Sequence, residues 1–333
     1  MQIVVYGAGA VGSVLGGLLS VQKHDVVLVC RKGHADAINE GGLHVRSATG
    51  DYVSRPRATE ELSGDDVAAG VCVLVTVKSH DTRGVANTLA GLLPRETPVV
   101  SFQNGMDNEA SLGAHFDNVY GGVCRITCQM LQPGTASFRR KGRLVVGKYP
   151  KGSDSFARSL TRAFGAAGFD ACLSRNVIDD KWLKLVVNAQ SAFHAVIDPR
   201  DHDANEFFEL KARIIEEARA VLKAARIRAR SCDRNVSSID EMIADLRRPR
   251  MPRAERGMMV HNSTWQDLYL RRDTIETPFF HEPFIKMGRE HGIAVPCHEV
   301  ALDTALRCHR EGLGPGTVRL QEVIDAIAKR GGR

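Results

Sequence analysis

The 333-residue chain has eight cysteines but no Cys-x-x-Cys pair. Cys124 and Cys128 come closest, and no histidine set lies near them to complete a tetrahedral zinc site. No metal is expected, and all eight cysteines read as reduced thiols of a cytoplasmic protein. Long apolar runs are also lacking. The best stretch, around Val67–Val77, is interrupted and far shorter than the ~20 residues a bilayer-spanning helix needs, so no membrane role is expected. There is no internal repeat and no long low-complexity segment, which argues against a solenoid or a disordered tail. A strong excess of either charge is lacking: the net +6 modestly favours small anions and makes no case for nucleic acid. The basic stretch Arg247-Arg248-Pro249-Arg250-Met251-Pro252-Arg253 lacks the interleaved aromatics that would stack bases, and reads as a solvated connection. The first residues already form an apolar strand, so no leader is expected there. What remains is globular composition, 43% hydrophobic and 25% charged, at a length that suggests two domains.

Within that frame one segment stands out. Ile3–Tyr6 is a short apolar strand that runs into Gly7-Ala8-Gly9-Ala10-Val11-Gly12, followed by a helical stretch over Ser13–Leu19. Each glycine has its own task. Gly7 permits the tight turn, Gly9 lets a pyrophosphate approach the backbone, and Gly12 lets the helix pack on the strand with its amides aimed at phosphate. A glycine-rich strand–helix turn without a ligand is the alternative, and the strand before and helix after weigh against it. The next strand, Asp25–Cys30, ends at Arg31-Lys32, 19 residues beyond Gly12. An NAD site usually has Asp or Glu near this point to accept hydrogen bonds from the ribose. Cations cannot accept them but can pair with a 2′-phosphate, so the cofactor expected is NADPH/NADP+. Ordinary solvated loop charges are the competing reading of Arg31 and Lys32.

The first half alternates strands (Ile3–Tyr6, Val26–Cys30, Val71–Val77, Pro98–Phe102, Val119–Val123) with helical stretches such as Thr82–Leu93. This predicts a doubly wound parallel sheet covered on both faces. Two further strands are expected over Ala136–Arg139 and Arg143–Gly147. A helix over Ser155–Ala167 and a strand over Asp170–Leu173 complete the domain. The segment His34–Glu40 reads as a loop. After Asn176 the strand signals vanish and amphipathic periods take over: Ile178–Val196, Phe207–Ala225, Ser238–Leu246, Ser263–Arg271, Phe279–His291 and Cys297–Arg310. The expected organisation is α/β, with a Rossmann-like domain over residues 1–175 and an all-helical domain over residues 176–333.

Lys78 directly follows the strand Val71–Val77, and Asn104 follows Pro98–Phe102; ligands bind at such carboxyl ends. Asn104-Gly105 could equally be a tight turn. The 178–196 helix is apolar nearly all round, yet Lys181, Lys184, Asn188 and Ser191 recur at helical steps as one polar stripe. Such a stripe must meet bulk water or a polar cleft. Ser263 could cap its helix, and Glu276 could be a favourable first-turn charge.

Together these residues resemble the ketopantoate reductase (2-dehydropantoate 2-reductase) family across essentially the whole chain. The resemblance rests on Gly7–Gly12, Val77-Lys78, Asn104-Gly105-Met106, Trp182-Leu-Lys184-Leu-Val-Val-Asn188, and Ser263-Thr-Trp-Gln-Asp267 followed by Glu276. It implies NADPH-dependent reduction of a small 2-oxo acid, ketopantoate foremost, in the cleft between the two domains. By the same resemblance Lys184 is the general acid and Glu276 orients substrate and supports it. Asn104, Asn188 and Ser263 bind substrate, with Asn104 also on the cofactor. Gly7, Ala8, Gly9, Ala10, Val11, Gly12, Arg31 and Lys78 hold the cofactor. Ala192, Phe193 and His202 depart from the family pattern and suggest a differently shaped substrate. A paralogous reductase of another 2-oxo acid or imine, or a non-catalytic NADP(H)-binding protein, are the alternatives. A homodimer is possible, since the apolar helices could build either an interface or a monomer core.

Overall fold

Alternate residues of the first strand feed opposite faces of a sheet, and that period organises the N-terminal half. In the computed structural model, which describes residues 1–48, 50–139, 142–248 and 261–331, Ile3 and Val5 of β1 (Gln2–Tyr6) point into one core and Val4 into another. β1 is followed by α1 (Ala10–Val21), β2 (Asp25–Val29), α2 (Lys32–Gly41), β3 (Leu43–Ser47), β4 (Gly50–Ser54), β5 (Arg57–Thr59), β6 (Cys72–Val75), α3 (Thr82–Leu92), β7 (Val99–Ser101), α4 (Asn108–Gly113) and β8 (Val119–Cys124). Then come β9 (Cys128–Gln132), β10 (Thr135–Phe138), β11 (Arg143–Lys148), α5 (Ser155–Ala166) and β12 (Asp170–Leu173).

Eight strands form one sheet in the order β12-β11-β8-β7-β6-β1-β2-β5. β5 to β8 across this order are parallel, with Val5 opposite Leu28 on one side and Leu74 on the other. β11 departs from the all-parallel expectation: it runs antiparallel to β8. The reason is the connection. Among the described residues between β8 and β11 there is the β9–β10 hairpin and no crossover helix, so the chain returns in the opposite direction.

Two further features differ from the sequence reading. The segment read as a loop over His34–Glu40 is helix α2, with His34, Ala35 and Ile38 buried on one face and Lys32 paired with Asp36 one turn on. A second sheet, β4-β3-β10-β9, had no counterpart in the expectation. Its buried Leu43 and Val45 pack so close to α1 that a Cβ on Gly17 would sit 2.7 Å from Val45.

By its internal contacts the chain divides into two compact units, one of residues 1–181 and one of residues 182–248 and 261–331 among those described. The second contains the latter part of α6 (Val177–Asn188), then α7 (Ser191–Val196), α8 (Asn205–Ala224), α9 (Ile239–Leu246), α10 (Ser263–Tyr269), α11 (Thr277–His291), α12 (Pro296–Arg310) and α13 (Leu320–Gly331). The single helix expected over Ile178–Val196 is therefore two, broken at Ala189-Gln190. Phe193, Phe207, Phe280 and Phe284 are fully buried in the core of this unit. Arg247 is exposed, as expected of a solvated connection, and bonds Glu209 and Glu216 of α8 at 2.7–2.9 Å. The rest of that basic stretch, from Pro249 to Arg253, lies outside the described residues.

A buried histidine pair fixes α11 against α12. His298 Nε2 lies 3.2 Å from the Ile214 carbonyl and so carries the proton; its Nδ1 must accept from His281 Nδ1–H, also at 3.2 Å. Burial pushes His281 down to about 3 and His298 well below its ordinary value. The unfolded chain then takes up protons near pH ~6.5 that the folded chain does not, so stability is full above that pH and declines below it. The expected loss is roughly 1.4 kcal/mol per ring at one pH unit below that value. Urea midpoints between about pH 7 and about pH 5.5 check this. His281→Phe should flatten the decline, and equal slopes in the two proteins would refute the assignment.

Candidate functional site

The glycine turn lies where the sheet order reverses direction, with β2 on one side of β1 and β6 on the other. Gly7 has φ +96°, and a Cβ there would fall within 2.4–2.8 Å of Val77. A Cβ on Gly12 would meet Thr76 Oγ1 at 2.5 Å. Both glycines are demanded by the protein's own packing. Gly9 is not, since the nearest atom to a Cβ there is the Gly7 carbonyl oxygen at 3.9 Å. Gly9 is also the N-cap of α1 and offers no side chain to the first-turn amides. An uncapped helix start behind an open, Cβ-free position is the cradle a pyrophosphate needs, so these residues fit a dinucleotide.

Around this turn the other strand ends contribute in order. Arg31, the N-cap of α2 after β2, is exposed, and its side chain makes no ion pair among the described residues. Its neighbour Lys32 pairs with Asp36 at 2.9 Å on the surface. Lys78 follows β6 and Asn104 follows β7, both half-buried.

Asn104 begins a turn at Gly105, φ +83°, that is tied down by a network the sequence reading missed. Ser79 Oγ and Asn108 Nδ2 both donate to the Asn104 carbonyl at 2.6 Å. Thr82 Oγ1 lies 2.7 Å from Asn108 Oδ1, and Gln103 Nε2 donates to Thr82 Oγ1 at 2.6 Å. Gln103, Thr82 and Asn108 are all buried. The signal was a cluster of small polar residues flanking two strand ends, which alone does not distinguish a network from ordinary loop polarity.

Lys181 departs from the expected polar stripe. It is buried in the first unit, ion-paired with Glu109 of α4, with side chains 3% and 0% exposed. Lys184 and Asn188, one turn apart on α6, are half-buried. Ser191 falls beyond the helix break, and its hydroxyl is buried with no hydrogen-bond partner among the described residues.

Still within the second unit, Ser263 does not cap α10. Asn262 does, its side chain accepting from Trp265 N at 2.9 Å while its amide donates to the Ser191 carbonyl at 3.2 Å. Ser263, half-buried in the first turn, is thus spared that task. Glu276 is 4% exposed and makes no capping bond with its side chain, which sets it apart from a surface first-turn charge. Its backbone N–H faces Asp267 Oδ2 at 3.4 Å, and Asp267 is itself buried. A carboxylate buried to this degree requires polar company. Of the departures from the family pattern, Ala192 and Phe193 are wholly buried, and His202 stacks on Phe207 at 4.5 Å.

A Rossmann-like sheet whose first helix starts uncapped at an open, Cβ-free Gly9, followed by a helical unit, is the architecture of a dinucleotide-binding protein. Residues 3–151 match the family described as "Ketopantoate reductase PanE/ApbA", and residues 176–306 match its C-terminal counterpart. The 2-dehydropantoate 2-reductase of Pyrococcus abyssi is 30% identical over 225 residues, 68% of this chain and 70% of that protein. The crystal structure of a PanE/ApbA family ketopantoate reductase from Ralstonia eutropha JMP134 is 26% identical with a TM-score of 0.76, covering 94% and 99% of the two chains. A ternary structure of D-mandelate dehydrogenase with NADH and anilino(oxo)acetate shares the fold at 18% identity and TM-score 0.76, over 94% and 99% of the chains. The chain belongs to the ketopantoate reductase family, whose members named 2-dehydropantoate 2-reductase are oxidoreductases acting on a CH–OH group.

Proposed function

We propose that the protein reduces a 2-oxo acid to the 2-hydroxy acid with NADPH, 2-dehydropantoate being the leading substrate, and so serves pantothenate biosynthesis. The observation that carries this reading is Lys184 beside Asn188: two hydrogen-bonding side chains, half-buried, on a helix whose other residues are largely core. The reduced nicotinamide supplies hydride to the carbonyl carbon. As the carbonyl π pair moves to oxygen, the Lys184 ammonium stabilises the charge and gives it a proton. Glu276 supports that ammonium and orients the hydroxyl that forms. Asn104, Asn188 and Ser263 hold the substrate, and Lys78 and the glycine turn hold the cofactor.

Substrate-dependent NADPH oxidation tests the reading, with 2-dehydropantoate set against aliphatic and aryl 2-oxo acids and NADH run in parallel. Turnover of another acid alone would replace the substrate, and binding without turnover would remove the enzyme reading. Arg31 gives a separate check on the cofactor. Arg31→Ala should raise KM for NADPH about 10-fold or more, the loss of a charge-assisted bond worth ~1.5–3 kcal/mol, and leave KM for NADH nearly unchanged. Equal effects on the two cofactors would disqualify Arg31 as the 2′-phosphate cation.

A further inference from the structure

Behind the glycine turn runs a buried chain of hydrogen bonds that links four separate segments of the first unit. Gly134 N–H donates to His34 Nδ1 at 2.9 Å, so that nitrogen is the bare acceptor and the ring proton sits on Nε2. Nε2–H then donates to Ser13 Oγ at 2.9 Å, and the Ser13 hydroxyl donates to the Ala8 carbonyl at 3.1 Å. Every donor meets an acceptor in one tautomer only. Ser13 is 0% and His34 5% exposed. Burial also holds His34 below its ordinary histidine value, which keeps the ring neutral.

The placement of these residues gives the chain its meaning. Ala8 is inside the glycine turn, and Ser13 is in the first part of α1. His34 is three residues beyond Arg31, in the first turn of α2. Gly134, at φ +73°, turns the chain from β9 to β10, and a Cβ there would press on Ala37 of α2 at 3.3 Å. The β9–β10 turn therefore touches α2, while the second sheet itself packs on α1, and His34 pins the first turn of α2 to α1 and the glycine turn.

We infer that His34 is a positioning residue for cofactor selection: through Ser13 it fixes the spacing between the glycine turn and Arg31, and with it the preference for a 2′-phosphorylated dinucleotide. The physical reason is two-point binding. The pyrophosphate and the 2′-phosphate are held at a set separation by the cofactor's own bonds, so the cradle and Arg31 must keep that separation. A dinucleotide without the 2′-phosphate uses only the first point and is indifferent to the position of Arg31. The inference rests on the proposed NADPH reading, and the experiment separates the two.

The test is fluorescence titration of the full-length protein with NADPH and with NADH. His34→Phe keeps a ring and loses both bonds. His34→Gln keeps one neutral acceptor and one donor, and Ser13→Ala breaks the middle link. In His34→Phe the NADPH Kd should rise about 10-fold or more while the NADH Kd changes less than about 3-fold. Ser13→Ala should shift the ratio in the same direction, and His34→Gln should restore most of it. A merely structural role would lower the melting temperature and leave the NADPH-to-NADH ratio alone, and an unchanged ratio overturns the inference. If His34→Phe does not fold, an unchanged ratio in Ser13→Ala does the same. A wild type that binds both cofactors equally removes the NADPH reading, and the inference falls with it.

Discussion

Lys184→Ala should lower kcat by about 10²–10⁴-fold, the range seen when a positioned acid–base group is lost. The size of the effect follows from where charge develops. Hydride arriving at a carbonyl carbon leaves a full negative charge on oxygen, and water would have to reorganise to stabilise it. A lysine already held half-buried on α6 needs no such reorganisation. The loss should appear in kcat, because the interaction strengthens as the alkoxide forms, while the Kd for NADPH should stay within a few-fold of wild type. Lys184→Met, which keeps the aliphatic stem, should fall about as far, showing that the ammonium rather than the packing matters. Stopped-flow single-turnover rates of NADPH oxidation isolate the chemical step. Wild-type turnover in a folded Lys184→Ala protein would leave the proposal without its proton donor.

Lys181, one turn earlier on the same helix, should behave in the opposite way. Lys181→Met is expected to destabilise the protein by about 3–5 kcal/mol, because it strands the Glu109 carboxylate with 0% exposure and no counter-charge. Among the described residues Glu109 already has one oxygen without a hydrogen-bond partner, so it has little to fall back on. Replacing both partners together, as in Lys181→Met with Glu109→Leu, should recover much of the loss, since two apolar groups need no pairing. Urea unfolding at neutral pH measures all three variants. A loss below about 1 kcal/mol in Lys181→Met would mean that water reaches Glu109 and that the pair contributes no more than a surface bridge. The two lysines therefore separate cleanly: one should affect rate and the other stability.

The contrast shows what a stripe of polar residues can and cannot reveal. Lys181, Lys184, Asn188 and Ser191 share one face by helical periodicity, and periodicity alone gives them one environment. Lys181 instead meets a carboxylate from α4, 72 residues away in sequence, and Ser191 lies past a break in the helix. Neither the partner nor the break is written locally. Ser263 and Asn262 make the same point on a smaller scale. Both are good N-cap residues, and only the backbone geometry at Asn262, φ −69° and ψ 168°, decides which of them caps.

Other misses were local. The α2 segment carries His34, Ala35 and Ile38 on one face and a Lys32–Asp36 pair, which is a readable if short helical pattern. The strand Leu43–Ser47 alternates buried and outward residues in the period of two. Both patterns are short and weak beside the βαβ alternation around them. The network of Gln103, Thr82, Asn108 and Ser79 was not legible, because hydroxyl and amide side chains near strand ends are common and only their mutual aim makes them a scaffold.

Taken alone, the order of residues determined the glycine turn, the cations after the second strand, the alternation that builds a doubly wound sheet, and the change to helices after Asn176. All of these depend on neighbours a few residues apart, where backbone freedom and side-chain period act directly. Tertiary structure alone decided that Lys181 is structural, that Glu276 is buried, that Phe193 is core, and that His34 reaches across to Ser13 and Gly134. Burial and hydrogen-bond partnership are set by segments distant in the chain, and it is those two quantities that turn a polar residue into a brace or a reagent.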